Sequence, residues 1–179
     1  MHIPRTAKAC LAIASFWACT TAQAVAADPL PLPATLVATP TKAQPLLAAA
    51  ALELQLLAGR RVADVVGFAA EAGTRRLHFS VREDTTAERV GVALTRTLQL
   101  ADLRSNAPAL LQLGTAFSRH QRFLRGDTIV FEQQPGQALR LFINGTPAAE
   151  ALGDASLMNV LARAWVAPAA VALRQPAGR

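Results

Sequence analysis

Tyrosine is absent from this 179-residue chain, and cysteine occurs only twice, at Cys10 and Cys19. Without tyrosine there is no phenolic hydroxyl to act as a proton or oxyanion donor. Both cysteines fall in an amino-terminal leader, so the mature chain is expected to carry neither a disulfide nor a catalytic thiol. Histidine occurs three times, at His2, His78 and His120, and only the last two lie beyond the leader. There is no glycine-rich phosphate loop, no nucleophile elbow and no cluster of metal ligands at a recognised spacing. No metal or other cofactor is therefore predicted. Long apolar runs are missing as well, because the longest, Ala9 to Cys19, is shorter than the roughly 20 residues a spanning helix needs.

That run has another use. In "MHIPRTAKACLAIASFWACTTAQAVAADPL" the cations Arg5 and Lys8 precede it, and small-x-small sites ending at Ala24 and Ala27 follow it. This is the layout of a cleaved secretory signal peptide over residues 1–27, the alternative being an uncleaved anchor, and it predicts a periplasmic protein. The bulky Phe16 and Trp17 argue against lipid attachment at Cys19. Of 18 basic and 12 acidic residues, loss of Arg5 and Lys8 reduces the net charge from +6 to +4. A mild surplus spread along an exported chain predicts no nucleic-acid partner. It suits an acidic small molecule or peripheral contact with an anionic membrane surface.

Residues 28–45 contain Pro29, Pro31, Pro33, Pro40 and Pro45 and read as an extended lead-in rather than core. A single domain is expected over residues 46–175. Leu52, Leu54 and Leu56 alternate with Glu53 and Gln55 as a strand, followed by a turn at Gly59. In "RRLHFSVRED" the residues Leu77, Phe79 and Val81 share the buried face of a second strand, with His78, Ser80 and Arg82 opposite. Thr85 with Glu88 forms a capping box for a helix whose core stripe is Val90, Leu94 and Leu98. A further helix starts at Asn106 and Pro108 and runs through Leu110, Leu111 and Phe117.

The stretch "RGDTIVFEQQPGQALRLFINGT" places two β-rich runs, residues 128–132 and 139–143, on either side of Pro135-Gly136, an antiparallel hairpin. Asn144-Gly145 ends its second strand, and Gly126 supplies a turn within an Arg-Gly-Asp triplet that is not read as an adhesion motif. Asp154 caps a last helix with Leu157, Leu161 and Trp165 on its buried stripe. Pro168 follows it, with a short terminal turn at 169–173. No internal repeat or second domain is evident.

This succession resembles the bacterial chalcone isomerase-like domain, an exported branch of the chalcone isomerase fold. The resemblance rests on Leu77, Phe79, Val81 and Arg82, on Gly126-Asp127, Pro135-Gly136 and Asn144-Gly145, and on the closing helix that ends with Trp165. It covers residues 75–173 well and 52–70 poorly. It implies an α+β fold, an antiparallel β-sheet with helices layered on one face and an apolar cleft between the layers. In catalytic relatives an arginine stabilises a phenolate while tyrosine and threonine hydroxyls hold the ketone. In relatives that bind fatty acids, the arginine and a tyrosine hold the carboxylate. The matching segment here is "LELQLLAGRR", which makes Arg60 or Arg61 the anchor, with Leu56 in place of an expected glycine. No threonine lies between Arg61 and Thr74, where the family's next strand would bring its hydroxyls. Each oxyanion donor lost costs about a hundredfold in rate, so binding without catalysis is expected.

Arg60 and Arg61 are thus candidate ligand-binding residues, with a solvated pair after a strand as the competing reading. His78 and His120 have no identifiable catalytic partner. Arg119, Arg122 and Arg125 recur at three-residue spacing, as a solvated face or as a cationic helix face for lipid headgroups. Asp127 and Glu132 would point to opposite sides of a strand, and Trp165 reads as core. The expected function is binding of a small amphipathic acid such as a fatty acid. The alternatives are an intramolecular lyase of the chalcone isomerase type and a structural or interaction domain with a collapsed cleft.

Overall fold

The computed structural model describes residues 36–167. The leader with Cys10 and Cys19, the lead-in before residue 36, Pro168 and the turn expected at 169–173 lie outside the described residues. The elements in chain order are β1 (Val37–Thr41), α1 (Pro45–Ala49), β2 (Leu52–Ala58), α2 (Val65–Ala69), β3 (Arg75–Val81) and β4 (Thr85–Thr86). There follow α3 (Ala87–Arg96), α4 (Leu100–Ser105), α5 (Ala107–Ser118), β5 (Arg122–Phe123), β6 (Thr128–Gln133), β7 (Leu139–Ile143), β8 (Thr146–Gly153) and α6 (Ala155–Trp165). Six strands form one antiparallel sheet in the order β1-β2-β3-β6-β7-β8, and β4 pairs with β5 in a small ribbon. The fold is α+β.

Period-two patterning sets the register. Leu52, Leu54 and Leu56 of β2 lie beside Val81, Phe79 and Leu77 of β3, and Phe79 and Leu77 lie beside Ile129 and Phe131 of β6. These residues are buried with the inward residues of the helices in a single core. A one-residue slip would turn the whole set outward, so burial fixes the pairing. The β6–β7 hairpin closes at Pro135-Gly136, with Gly136 at φ +70°. At Asn144-Gly145 both residues have positive φ, 49° and 77°, which is the geometry of a tight hairpin turn. The turn does more than end β7: it returns the chain as β8, a strand not foreseen from the small residues of "TPAAEALG". β8 meets β7 through register shifts and carries Pro147, while β1 carries Pro40.

The Arg-Gly-Asp triplet is part of this framework. Gly126 has φ +97°, and Asp127 accepts hydrogen bonds from Leu124 N at 2.8 Å and from Asn144 Nδ2 at 3.0 Å. Asn144 Oδ1 in turn accepts from Thr128 N at 2.8 Å. The carboxylate is committed to holding the start of β6 against the β7–β8 turn.

Several sequence expectations shift. Val37–Thr41, inside the stretch read as lead-in, pairs with β2 as a strand. Thr86, rather than Thr85, caps α3 by accepting from Arg89 N at 3.2 Å: both residues pair in the β4–β5 ribbon, but Thr85 is buried there, whereas Thr86 is exposed and directly precedes the helix. The buried stripe of α5 is Ala109, Leu113, Ala116 and Phe117, and Leu111 is exposed. α5 ends at Ser118, so Arg119, Arg122 and Arg125 do not share a helix face: Arg122 lies in β5 and pairs with Asp84 at 2.7 Å. α6 behaves as expected, with Asp154 Oδ1 accepting from Ser156 N and Leu157 N, and with Leu157, Leu161 and Trp165 buried.

Candidate functional site

Between α6 and the central strands β3 and β6 the space is filled by side chains. Trp165 of α6 is fully buried against Phe79 and Phe131, with ring centroids 5.4 and 4.8 Å apart. Phe79 and Phe131 meet edge to face at 6.3 Å. The Trp165 indole N–H donates to Leu94 O of α3 at 3.0 Å, which answers its one polar atom. Each aromatic contact adds about 0.5 to 1.5 kcal/mol beyond area burial. Together they lock α6 onto the central strands where a ligand cleft was expected.

Arg60 and Arg61 lie outside this interface. Both are exposed, and Arg60, at 73% side-chain exposure, pairs through Nε with Glu71 at 3.0 Å. The strand that the family resemblance implied after them is absent: between β2 and β3 the described chain forms α2, capped by Asp64 accepting from Gly67 N at 2.8 Å.

Two other arginines are buried, Arg75 and Arg76 at the start of β3. Arg75 follows the inward phase of Leu77 and Phe79. Its Nη1 donates to Phe68 O, Ala69 O and Asn159 Oδ1 at 3.3, 3.1 and 2.7 Å, and its Nη2 donates to Gln133 Oε1 at 3.1 Å. The guanidinium thus caps the last turn of α2, where carbonyls are unpaired and a cation suits the dipole. Burial lowers its pKa, opposed in part by Glu71, and it lies 5.6 Å from the centroid of the Phe68 ring. Arg76 lies on the opposite face in a cross-strand row, Leu57, Arg76, Glu132 and Arg140. Glu132, 2% exposed, accepts from Arg76 Nε at 2.5 Å, from Gln134 Nε2 at 2.9 Å and from Arg140 Nη2. The alternation in "TRRLHFSV" carried the signal for both positions, masked by their charge.

Neither His78 nor His120 pairs with an acidic side chain among the described residues. His78 is half-buried in the next row, between Gln55 and Val130, and its Nδ1 has no hydrogen-bond partner among the described residues. Burial first, and the Arg76 charge second, hold its imidazole below the ordinary histidine value. His120 stacks on Phe123 at 5.6 Å. Asp127 and Glu132 belong to separate structural networks. Among the described residues no group of three or more His, Cys, Asp or Glu could hold a metal, and no helix is long and apolar enough to cross a membrane.

An accessible concavity lies at the sheet edge. A groove of about 620 Å³ runs between β1, the start of α2 and the end of α6. Its wall is built by residues 42–44 lying against 165–167: Gln44 N donates to Trp165 O at 2.9 Å, and Ala167 N donates to Lys42 O at 2.8 Å. Pro40, Ala63, Val65, Val66 and Val166 supply apolar lining, and Lys42 and Arg163 supply two cations. Neither cation has a side-chain partner among the described residues. Sequence reading missed both because they are distant along the chain and meet only when α6 returns to β1. No family model matches the chain, and no curated protein matches it either.

Proposed function

We propose that the chain is an exported, non-catalytic binding protein for a small amphipathic acid, built on the chalcone isomerase-like plan that its order of elements resembles. The observation that supports this reading is the edge groove, whose apolar lining and two cations, without side-chain partners among the described residues, suit a molecule with one anionic end. Its volume lies within the range of roughly 300 to 1,000 Å³ usual for small-ligand sites. The anchor expected at Arg60 or Arg61 has less support, since both side chains are exposed outside the groove and Arg60 is engaged by Glu71.

The test is native mass spectrometry of mature protein from a periplasmic extract, followed by calorimetric titration with medium-chain acids. A co-purified or saturably bound acid supports the reading, and amino-terminal sequencing of the same sample tests cleavage after Ala24 or Ala27. A second reading, a structural or interaction domain, is favoured by the aromatic packing of Phe79, Phe131 and Trp165. It becomes the better account if no acid binds.

A further inference from the structure

We infer that the anionic head of the ligand is held jointly by Lys42 and Arg163, across the seam between the sheet edge and the last helix, with its tail on Pro40, Val65, Val66 and Val166. This inference rests on the binding function proposed above and names its site.

The charges favour this groove over the other hollows: the one between the end of α5 and the β7–β8 turn holds Arg119 and His120 but no second permanent cation. In the hollow beside β4, Arg122 is answered by Asp84, and Arg89 donates to Ala49 O. In the hollow between α5 and β8, Arg119 shares the wall with Glu150. Lys42 also borders a hollow with Glu53, but that carboxylate is engaged by Arg82. Within the groove itself the one carboxylate, Asp64, caps α2 through Gly67 N, so two cations face one committed acid. The site therefore offers a net positive charge with no side-chain partner among the described residues.

The apolar part is equally specific in placement. Val66, on the first turn of α2, is 76% exposed. It stands on the groove wall, where a ligand's hydrocarbon would cover it. An alcohol of equal length would gain the same apolar contact but none of the ionic contact. A cationic amphipath would be repelled.

The ligand bridges two pieces of chain already joined by backbone hydrogen bonds, residues 42–44 and 165–167. Binding should therefore be registered at those amides and not across the sheet.

The experiment titrates mature protein with decanoate, decanol and decyltrimethylammonium below their micellar concentrations, by calorimetry and amide-resolved NMR. Decanoate is expected to bind more tightly than decanol, to weaken with added salt, and to shift amides of residues 40–44 and 163–167. Lys42→Ala and Arg163→Ala should each weaken decanoate about fivefold, as for exposed ion pairs, and the double charge reversal K42E/R163E about 25-fold or more. Both side chains are exposed and have no side-chain partner among the described residues, so these variants should melt as wild type does. Arg60→Ala and Arg61→Ala should bind normally.

Decanoate binding that survives K42E/R163E, or is lost instead in Arg60→Ala or Arg61→Ala, overturns the assignment while leaving the binding function intact. Decanol binding as tight as decanoate, or shifts spread over the sheet, overturns it as well. Binding of no probe removes both this inference and the function it rests on.

Discussion

Replacing Glu132 by glutamine tests whether the ionic row on the sheet face opposite the aromatic core is structural. The substitution keeps size and shape but removes the charge that faces Arg76 and Arg140. Glu132 is 2% exposed and Arg76 6%, so neither can turn to water without moving its strand. Arg140 is 32% exposed and can solvate its own charge, and its share must be discounted accordingly. Breaking a buried pair by removing one partner costs about 3 to 5 kcal/mol. Because Arg76 has further interactions and Arg140 can reach solvent, the lower end, about 3 kcal/mol, is expected here. With a urea dependence of about 1.5 to 2 kcal/mol per molar, the unfolding midpoint should fall by about 1.5 to 2 M. Arg140→Ala should cost about 1 kcal/mol or less. The double replacement R76M/E132L, which removes both buried charges, should recover most of the loss, since a well-packed apolar pair is often neutral relative to an ion pair. Urea titrations followed by far-ultraviolet circular dichroism measure all four proteins. A Glu132→Gln midpoint within about 0.3 M of wild type would refute the argument.

Arg75→Met should destabilise by about 2 to 4 kcal/mol by leaving Phe68 O, Ala69 O, Asn159 and Gln133 without their donor, and Arg75→Lys should rescue little, because one ammonium cannot span that arc; equilibrium unfolding of both variants decides it. His78 is held below its ordinary value of 6.5, so the unfolded chain binds the proton more readily than the folded one. Its contribution is therefore fully present above pH 6.5 and is lost as pH falls toward the depressed folded value. His78→Gln should flatten the stability profile below about pH 6.5, read as the difference between the two proteins' melting temperatures as pH falls. Chalcone cyclisation should stay at the spontaneous rate in a spectrophotometric assay, because tyrosine is absent and 61–74 contribute α2 in place of a hydroxyl-bearing strand; saturable turnover would overturn that reasoning.

Strong periodicity made much of the fold legible. The alternation in β2 and β3, the Pro135-Gly136 hairpin and the Leu157, Leu161, Trp165 stripe all appear where the pattern placed them. β8 escaped because alanine, glycine and proline have little intrinsic strand preference, and its formation follows from the turn at Asn144-Gly145. β1 escaped because its proline suggested a linker, although an edge strand tolerates one. α4 buries no residue and so left no stripe to read. The groove was less legible than the fold. A local match drew attention to Arg60 and Arg61, whereas Lys42 and Arg163 share no local motif and are brought together by tertiary packing alone.

The two prolines in the outer strands bear on how this protein behaves at high concentration. Among the described residues β1 and β8 flank the sheet, and an outer strand normally presents a row of donors and acceptors on which another molecule can continue the ladder. Pro40 deletes a donor from one flank. On the other flank Pro147 deletes a second, and the register shifts against β7 break the straight line that an incoming strand would need. Growth of the sheet from molecule to molecule is thereby discouraged at both ends. A chain rich in alanine and leucine, with no disulfide expected after export, would carry its resistance to fibril formation in those two rings.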